Sequence, residues 1–189
     1  QEPVTLETVS DTLADAGAPT EEQKKANLKL DVKSEVLMDA DTGEVLFEQN
    51  AHKELPPASV TKIMTMLLAL EAVEDGKVKL TDEITISERA ASMGGSQMYM
   101  EVGEVHTLEE LLSGIAIVSA NDACVAVSEY IAGSEEVFVE KMNQRAQELG
   151  MRDTHFVNTN GLPVTDHYTS AYDIAVMSRA LIAFPETAQ

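Results

Sequence analysis

The sequence predicts an α+β fold, on three observations. Extended segments gather between Leu28 and Glu48, around an Asp41-Thr42-Gly43 turn. From Ser59 onward, apolar residues recur near the 3.6-residue period of helices. The two kinds of segment do not alternate, as they would in a chain that builds a parallel sheet.

The length of 189 residues corresponds to about one domain at about 150 residues each. A chain of this size buries roughly 70% of its unfolded surface, so it needs no disulfide or metal to fold. Apolar residues make up 44%, which excludes a wholly disordered chain. There is no Trp, and nine Met leave part of the core to flexible thioethers.

Residues 1–27 are polar, carry Glu2, Glu7, Asp11, Asp15, Glu21 and Glu22, and read as an acidic arm or linker. The domain proper spans 28–189. Leu28, Leu30 and Val32 alternate with polar residues, as in a half-buried strand. Ser34–Asp39 and Glu44–Glu48 read as a hairpin, because Gly43 tolerates a positive φ at the turn. Their Val36, Leu37, Met38, Val45, Leu46 and Phe47 suffice to cover a helix. Pro56 and Pro57 end the extended region. A helix from Ser59 to Glu74 follows, with its stripe on Ile63, Met66, Leu67, Leu70 and Val73 and Gly76 as its C-cap.

Ile84 and Ile86 read as a short strand, and 91–96, with Gly94-Gly95, as a mobile loop. Thr107 and Glu110 form a capping box that opens a helix with Leu108, Leu111, Leu112, Ile115 and Val118 on its buried side. Ser119-Ala120-Asn121 interrupts it, and a second apolar helix runs to Ala132 and stops at Gly133. Ser134 caps the next, with Phe138, Met142 and Leu149 inward and Gly150 at its end. Asn160-Gly161 marks a turn, and Pro163 blocks a helix there. Ser170, paired with Asp173 as a cap, opens a last helix through Ile174, Met177 and Leu181, which Pro185 ends.

Thirteen basic residues against thirty-three acidic give a net charge of −20. That excludes non-specific nucleic-acid binding and disfavours adhesion to anionic membranes. With Cys124 as the sole cysteine, no intrachain disulfide forms, and no stretch reaches the ~18 apolar residues of a membrane span. His52, His106, His155 and His167 show no His-Glu-x-x-His pattern, so neither a metal nor another cofactor is expected. Cys124 reads as a buried, inert thiol five residues after Ser119.

The chemistry centres on Ser59-Val60-Thr61-Lys62. A serine alcohol becomes a nucleophile when a base takes its proton, and a lysine three residues along a helix shares its face. Lysine serves as that base only if burial or nearby positive charge lowers its pKa. The plain alternative makes Ser59 an N-cap and leaves Lys62 in solvent. Ser119-Ala120-Asn121 breaks an apolar stretch where polar groups are costly to bury. Ser119 could then shuttle a proton and Asn121 hold a substrate amide; alternatively the triplet is an interhelix joint with Asn121 as N-cap.

Ser-x-x-Lys followed 60 residues later by Ser-x-Asn resembles the penicillin-recognising serine enzymes. The words around them narrow the resemblance to the D-alanyl-D-alanine carboxypeptidases, the low-molecular-weight penicillin-binding proteins. They include Leu37-Met38-Asp39-Ala40-Asp41-Thr42-Gly43, the stretch from Pro56-Pro57-Ala58-Ser59 to Thr65, Met93-Gly94-Gly95-Ser96, Gly114 to Ala123, and Thr154-His155-Phe156-Val157-Asn158-Thr159-Asn160-Gly161-Leu162.

The resemblance implies a transpeptidase/β-lactamase-like fold and a substrate, the peptidoglycan stem peptide, that ends in D-Ala-D-Ala. Ser59 attacks the carbonyl between the last two residues, Lys62 is the base, Ser119 relays the proton to the leaving amine, and Asn121 binds the substrate amide. The Ser59 backbone amide supplies half of an oxyanion hole. β-Lactam antibiotics acylate the same serine. The enzyme works outside the bacterial cytoplasmic membrane, with signal peptide and C-terminal anchor outside this chain. Resemblance also makes His155 a hydrogen-bonded core residue. The family's third motif, Lys-Thr-Gly or close to it, does not occur in the sequence. The expectation is therefore an incomplete catalytic domain lacking C-terminal sheet strands. Either a second chain or fragment carrying the missing Lys-Thr-Gly strand completes it, or the piece alone is inactive. Two rival readings stay open: a β-lactamase, which needs a base to hydrolyse the acyl-enzyme, and a non-catalytic muropeptide-binding fragment.

Overall fold

Among the described residues, strands precede most of the helices, and two small antiparallel sheets stand beside a stack of helices (α+β). The computed structural model describes residues 30–188, so the expected arm at 1–27 lies outside the described residues. Contacts divide the chain at Val32/Lys33, and every element named below belongs to the second unit, Lys33–Gln189. The strand expected through Leu28, Leu30 and Val32 does not form where it is described: residues 31–33 are a bend. Three alternating residues without a partner ladder do not make a strand.

The hairpin forms as expected, β1 at Glu35–Met38 pairing with β2 at Val45–Gln49. Its turn is held by Asp39, whose Oδ1 accepts from Thr42 N and Thr42 Oγ1, each at 2.7 Å. Gly43 sits at φ 76°, a left-handed conformation that costs glycine little. After Pro57, one turn of 3-10 helix covers Ala58–Thr61, and only then does α1 run, Lys62–Glu74. Helix α1 does not bury one stripe. Met64, Thr65, Leu67, Ala69, Leu70 and Ala72 are all buried, and Ile63, Met66 and Val73 partly so, the pattern of a helix enclosed on most sides.

A second hairpin pairs β3, Glu83–Thr85, with β4, Val105–Thr107. Between its strands lies the short helix α2, Glu88–Ala91. The Thr107–Glu110 capping box opens α3, Leu108–Val118. Val118, expected inside, is exposed, because the chain turns outward through Ser119 at φ 58°. Helix α4 runs Asn121–Ala132 and stops at left-handed Gly133; α5 is Glu135–Glu148, capped by Ser134; α6 is Ala171–Leu181, capped by Ser170.

Two cores result. One packs α3, α4 and the Ile84/Ile86 segment around Leu108, Leu111 and Val125. The other packs α1, α5 and α6 around Met64, Leu67, Phe138, Phe156 and Met177. Helix α1 lies at their junction, where Met66 and Leu112 touch both clusters. The β1–β2 hairpin packs on α6, and Arg179 fixes it by donating to Ala40 O and Asp41 O, each at 2.7 Å.

Candidate active site

The 3-10 turn presents Ser59 to solvent while turning Lys62 inward, where it is 3% exposed. The N-cap positions are Pro57 for the 3-10 turn and Thr61 for α1, so Ser59 lies inside the turn and is not the cap of either element. The solvent-exposed alternative for Lys62 is thereby excluded. Lys62 Nζ donates to Asn160 O at 2.6 Å and reaches Ser59 Oγ at 3.4 Å. No ion pair to Lys62 occurs among the described residues, and burial holds its ammonium below the usual lysine range.

Lys62 also lies close enough to Cys124 for their charges to interact, which places α4 beside it. Burial pushes the Cys124 thiol up to about 12, so it is inert at neutral pH, as its sequence position suggested.

The segment 153–170 returns beneath the Ser59 turn. Leu55, just before the prolines, pairs antiparallel with Thr169. Thr65 Oγ1 donates to Thr159 O at 2.7 Å, and Thr159 Oγ1 donates to Glu135 Oε1 at 2.9 Å. Thr61 is joined to His167 at 2.8 Å. His167 Nδ1 accepts from the Val157 N–H at 2.9 Å, so the ring is neutral and its proton sits on Nε2, facing Thr61 Oγ1. Burial lowers its pKa, consistent with that state.

The histidine placement corrects the sequence reading. His155 is exposed, with Nδ1 2.6 Å from Asp166 O, while His167 is the buried one. In the short antiparallel bridge that pairs His155 with Tyr168, His155 takes the outward position. Asp173, read as a cap and nothing more, also accepts from Asp153 N at 2.8 Å and Thr154 Oγ1 at 2.7 Å, and burial raises its pKa.

Ser119 and Asn121 occupy the α3–α4 joint. Ser119 adopts the left-handed conformation, and its Oγ is sealed from solvent with no hydrogen-bond partner among the described residues. Asn121 is the first residue of α4 rather than its cap; its Nδ2 donates to Gly94 O at 2.7 Å and its backbone N to Ser96 O at 2.8 Å. Beside it, fully buried Asp122 accepts from Met98 N, at 3.1 Å to each oxygen, and from Met100 N at 3.4 Å. The glycine-rich loop expected to be mobile is thus pinned to α4. Of the four residues singled out in the sequence, direct contact joins Ser59 and Lys62; Ser119 bonds to neither, and Asn121 faces Gly94. Asn160, Thr61 and His167 were given no role in the site, although Thr61 stands inside Ser59-Val60-Thr61-Lys62, Asn160 in the Asn160-Gly161 turn and His167 among the four histidines.

The arrangement provides an accessible hydroxyl next to a buried amine with no ion-pair partner among the described residues, which suits nucleophile activation. Among the described residues no group of three or more His, Cys, Asp and Glu can hold a metal, and no helix is long and apolar enough to cross a membrane.

The comparisons with known proteins point to one family. The profile of the D-alanyl-D-alanine carboxypeptidase family, Peptidase_S11, matches residues 20–188. The chain is 51% identical over 169 residues to D-alanyl-D-alanine carboxypeptidase DacF of Bacillus subtilis, covering 89% of this chain and 43% of that one. Among solved structures, the carboxypeptidase DacD from Francisella tularensis superposes with a TM-score of 0.82 at 39% identity, over 92% of this chain and 41% of that one. Penicillin binding protein 6B from Escherichia coli gives a TM-score of 0.81 at 38% identity, over 84% and 52%. The chain spans about two fifths of the length of the curated relatives it matches. With a profile match over most of its length, this chain belongs to the D-alanyl-D-alanine carboxypeptidase family.

Proposed function

We propose that this chain carries the nucleophile and base of a serine D-alanyl-D-alanine carboxypeptidase. The observation that carries the reading is Lys62 Nζ, buried, without an ion-pair partner among the described residues, and 3.4 Å from Ser59 Oγ. In the reaction, Lys62 Nζ takes the Ser59 hydroxyl proton as Oγ attacks the carbonyl carbon of the penultimate D-alanine. The C–N bond then breaks, Ser119 relays the proton from Lys62 to the leaving amine, and free D-alanine departs with Lys62 neutral again. Water hydrolyses the remaining ester and restores the serine. The Ser59 N–H stabilises the oxyanion, and Asn121 holds the substrate amide. A β-lactam enters the same path and stays as a slowly hydrolysed ester.

The substrate is a peptidoglycan stem peptide ending in D-Ala-D-Ala, and the site of action is the outer face of the cytoplasmic membrane. Support comes from family membership and from a relative whose name records penicillin binding. The test is release of D-alanine from a D-Ala-D-Ala peptide by the full-length protein, expected with wild type and lost in Ser59→Ala. Binding without release would favour the muropeptide-binding alternative, and rapid β-lactam turnover the β-lactamase one.

We infer further that β1 takes another strand in the working enzyme. Among the described residues β1 pairs with β2 alone, and a two-stranded hairpin is marginal in water. The strands that complete this sheet, one of them carrying the Lys-Thr-Gly motif, would come from the same protein or from a second chain or fragment. The 189-residue chain by itself should then associate and release little D-alanine. A stable monomer with full carboxypeptidase activity contradicts this.

A further inference from the structure

Gly161 lies against the peptide that joins Ala58 to Ser59. At φ +89°, a Cβ added to Gly161 would overlap the oxygen and carbon of the Ala58 carbonyl and stand 3.0 Å from Ser59 N. These three atoms form one peptide unit, the one whose N–H belongs to the nucleophile. Being backbone, it cannot swing aside as a side chain can. Ala58 itself is held at φ 48°, a conformation that a residue with a Cβ seldom adopts unless its surroundings enforce it.

The loop carrying Gly161 is tightly self-braced. Asn158 Oδ1 accepts from Gly161 N at 2.7 Å and Asn160 N at 3.2 Å. Asn158 Nδ2 donates to Leu162 O at 2.9 Å, and Leu162 N donates to Asn160 Oδ1 at 3.0 Å. The next carbonyl along, Asn160 O, is the acceptor for Lys62. One short loop therefore meets the base through Asn160 and the nucleophile's peptide through Gly161.

We propose that Gly161 is a positioning residue, whose missing side chain lets the loop set the plane of the Ala58–Ser59 peptide and hence the aim of the Ser59 N–H and Oγ. This deepens the function proposed above and rests on it. A side chain at 161 displaces the peptide, and a misplacement of about 1 Å at a reacting group costs about 10²-fold in rate.

The test compares Gly161→Ala with Gly150→Ala in the full-length protein. Gly150 is also left-handed, at φ +78°, but nothing lies within 4 Å of where its Cβ would be. It controls for backbone strain without the clash. The readouts are the first-order rate of acylation by a labelled penicillin, the prior non-covalent affinity, and the pH midpoint of acylation. Gly150→Ala should acylate within about threefold of wild type, whereas Gly161→Ala should lose about 10²-fold in the first-order rate. Affinity and pH midpoint should stay put, because Lys62 and its carbonyl are retained. A purely structural role would reduce the folded fraction but not the rate of folded molecules. If Gly161→Ala does not fold, Asn158→Ala removes the acceptor for Gly161 N–H and adds no atom; its first-order rate should fall about tenfold, and an unchanged rate overturns the proposal. Equal rates in Gly161→Ala and Gly150→Ala overturn it alone. A wild type that takes no label at Ser59 overturns the functional reading, and this proposal with it.

Discussion

Lys62 Nζ donates to the carbonyl oxygen of Asn160 at 2.6 Å, a contact between residues 98 apart in the chain. A neutral amine has two hydrogens and one lone pair. Giving one hydrogen to a fixed carbonyl orients the amine and leaves its lone pair for the Ser59 hydroxyl, 3.4 Å away. In the proposed mechanism this contact orients the base before any substrate arrives.

Replacing Lys62 by arginine keeps the charge but removes the lone pair, since arginine stays protonated in proteins. The acylation rate by a labelled penicillin should fall by about 10²-fold or more, the scale of general-base catalysis. Circular dichroism should show a folded protein. In wild type, burial lowers the Lys62 pKa, so the neutral fraction grows and the acylation rate rises with pH, levelling off below the ordinary lysine value of 10.5. A near-normal rate in Lys62→Arg would show that the residue only neutralises charge.

His167 should make stability depend on pH. Its folded pKa is lowered from the ordinary 6.5, so the unfolded chain binds the proton more readily. The stability it contributes is fully present above that unfolded value and is lost as pH falls from there towards the folded pKa. Protonation would remove the acceptor for Val157 N–H. Thermal midpoints measured from pH 7.5 to 5 should decline, and the decline should be shallower in His167→Gln. Parallel curves for the two proteins would refute the assignment.

Asp122 should matter for stability through the loop it holds. Asp122→Ala leaves the Met98 and Met100 N–H groups without their acceptor. A buried donor left unsatisfied costs about 1–3 kcal/mol, so the two together should cost about 2–6 kcal/mol in urea denaturation. A loss under 1 kcal/mol, on the scale of an ordinary surface change, would mean that the loop is held by other contacts.

Cys124 should resist modification. With its thiol pushed up to about 12 and no exposure, it should not react with iodoacetamide at pH 8 in the native protein and should react fully once denatured. Stoichiometric labelling of the native form would show that α4 opens.

Local features of this fold were legible in the sequence, and features made by distant segments were not. Ser59 and Lys62 could be paired because three residues along a helix bring side chains together whatever else the chain does. The Gly43 turn and the Thr107, Ser134 and Ser170 caps are likewise short-range. The contacts of Asn160 and Gly161 with the Ser59 turn depend on the 153–170 segment returning beneath it, which no periodicity announces. Strand β4 escaped notice because its three residues run directly into the capping box of α3. The stripe assigned to α1 was too narrow because a helix between two cores buries polar residues too, Lys62 and Thr65 among them. His155, expected in the core, is exposed for a related reason: composition does not tell which residue of two bridged segments faces inward.

The account stands most directly on where a penicillin attaches. Full-length protein incubated with a labelled penicillin, digested and mapped by peptide mass, should carry one adduct, on Ser59, and none in Ser59→Ala. An adduct on any other residue, or one that persists in Ser59→Ala, would contradict the assignment of the nucleophile.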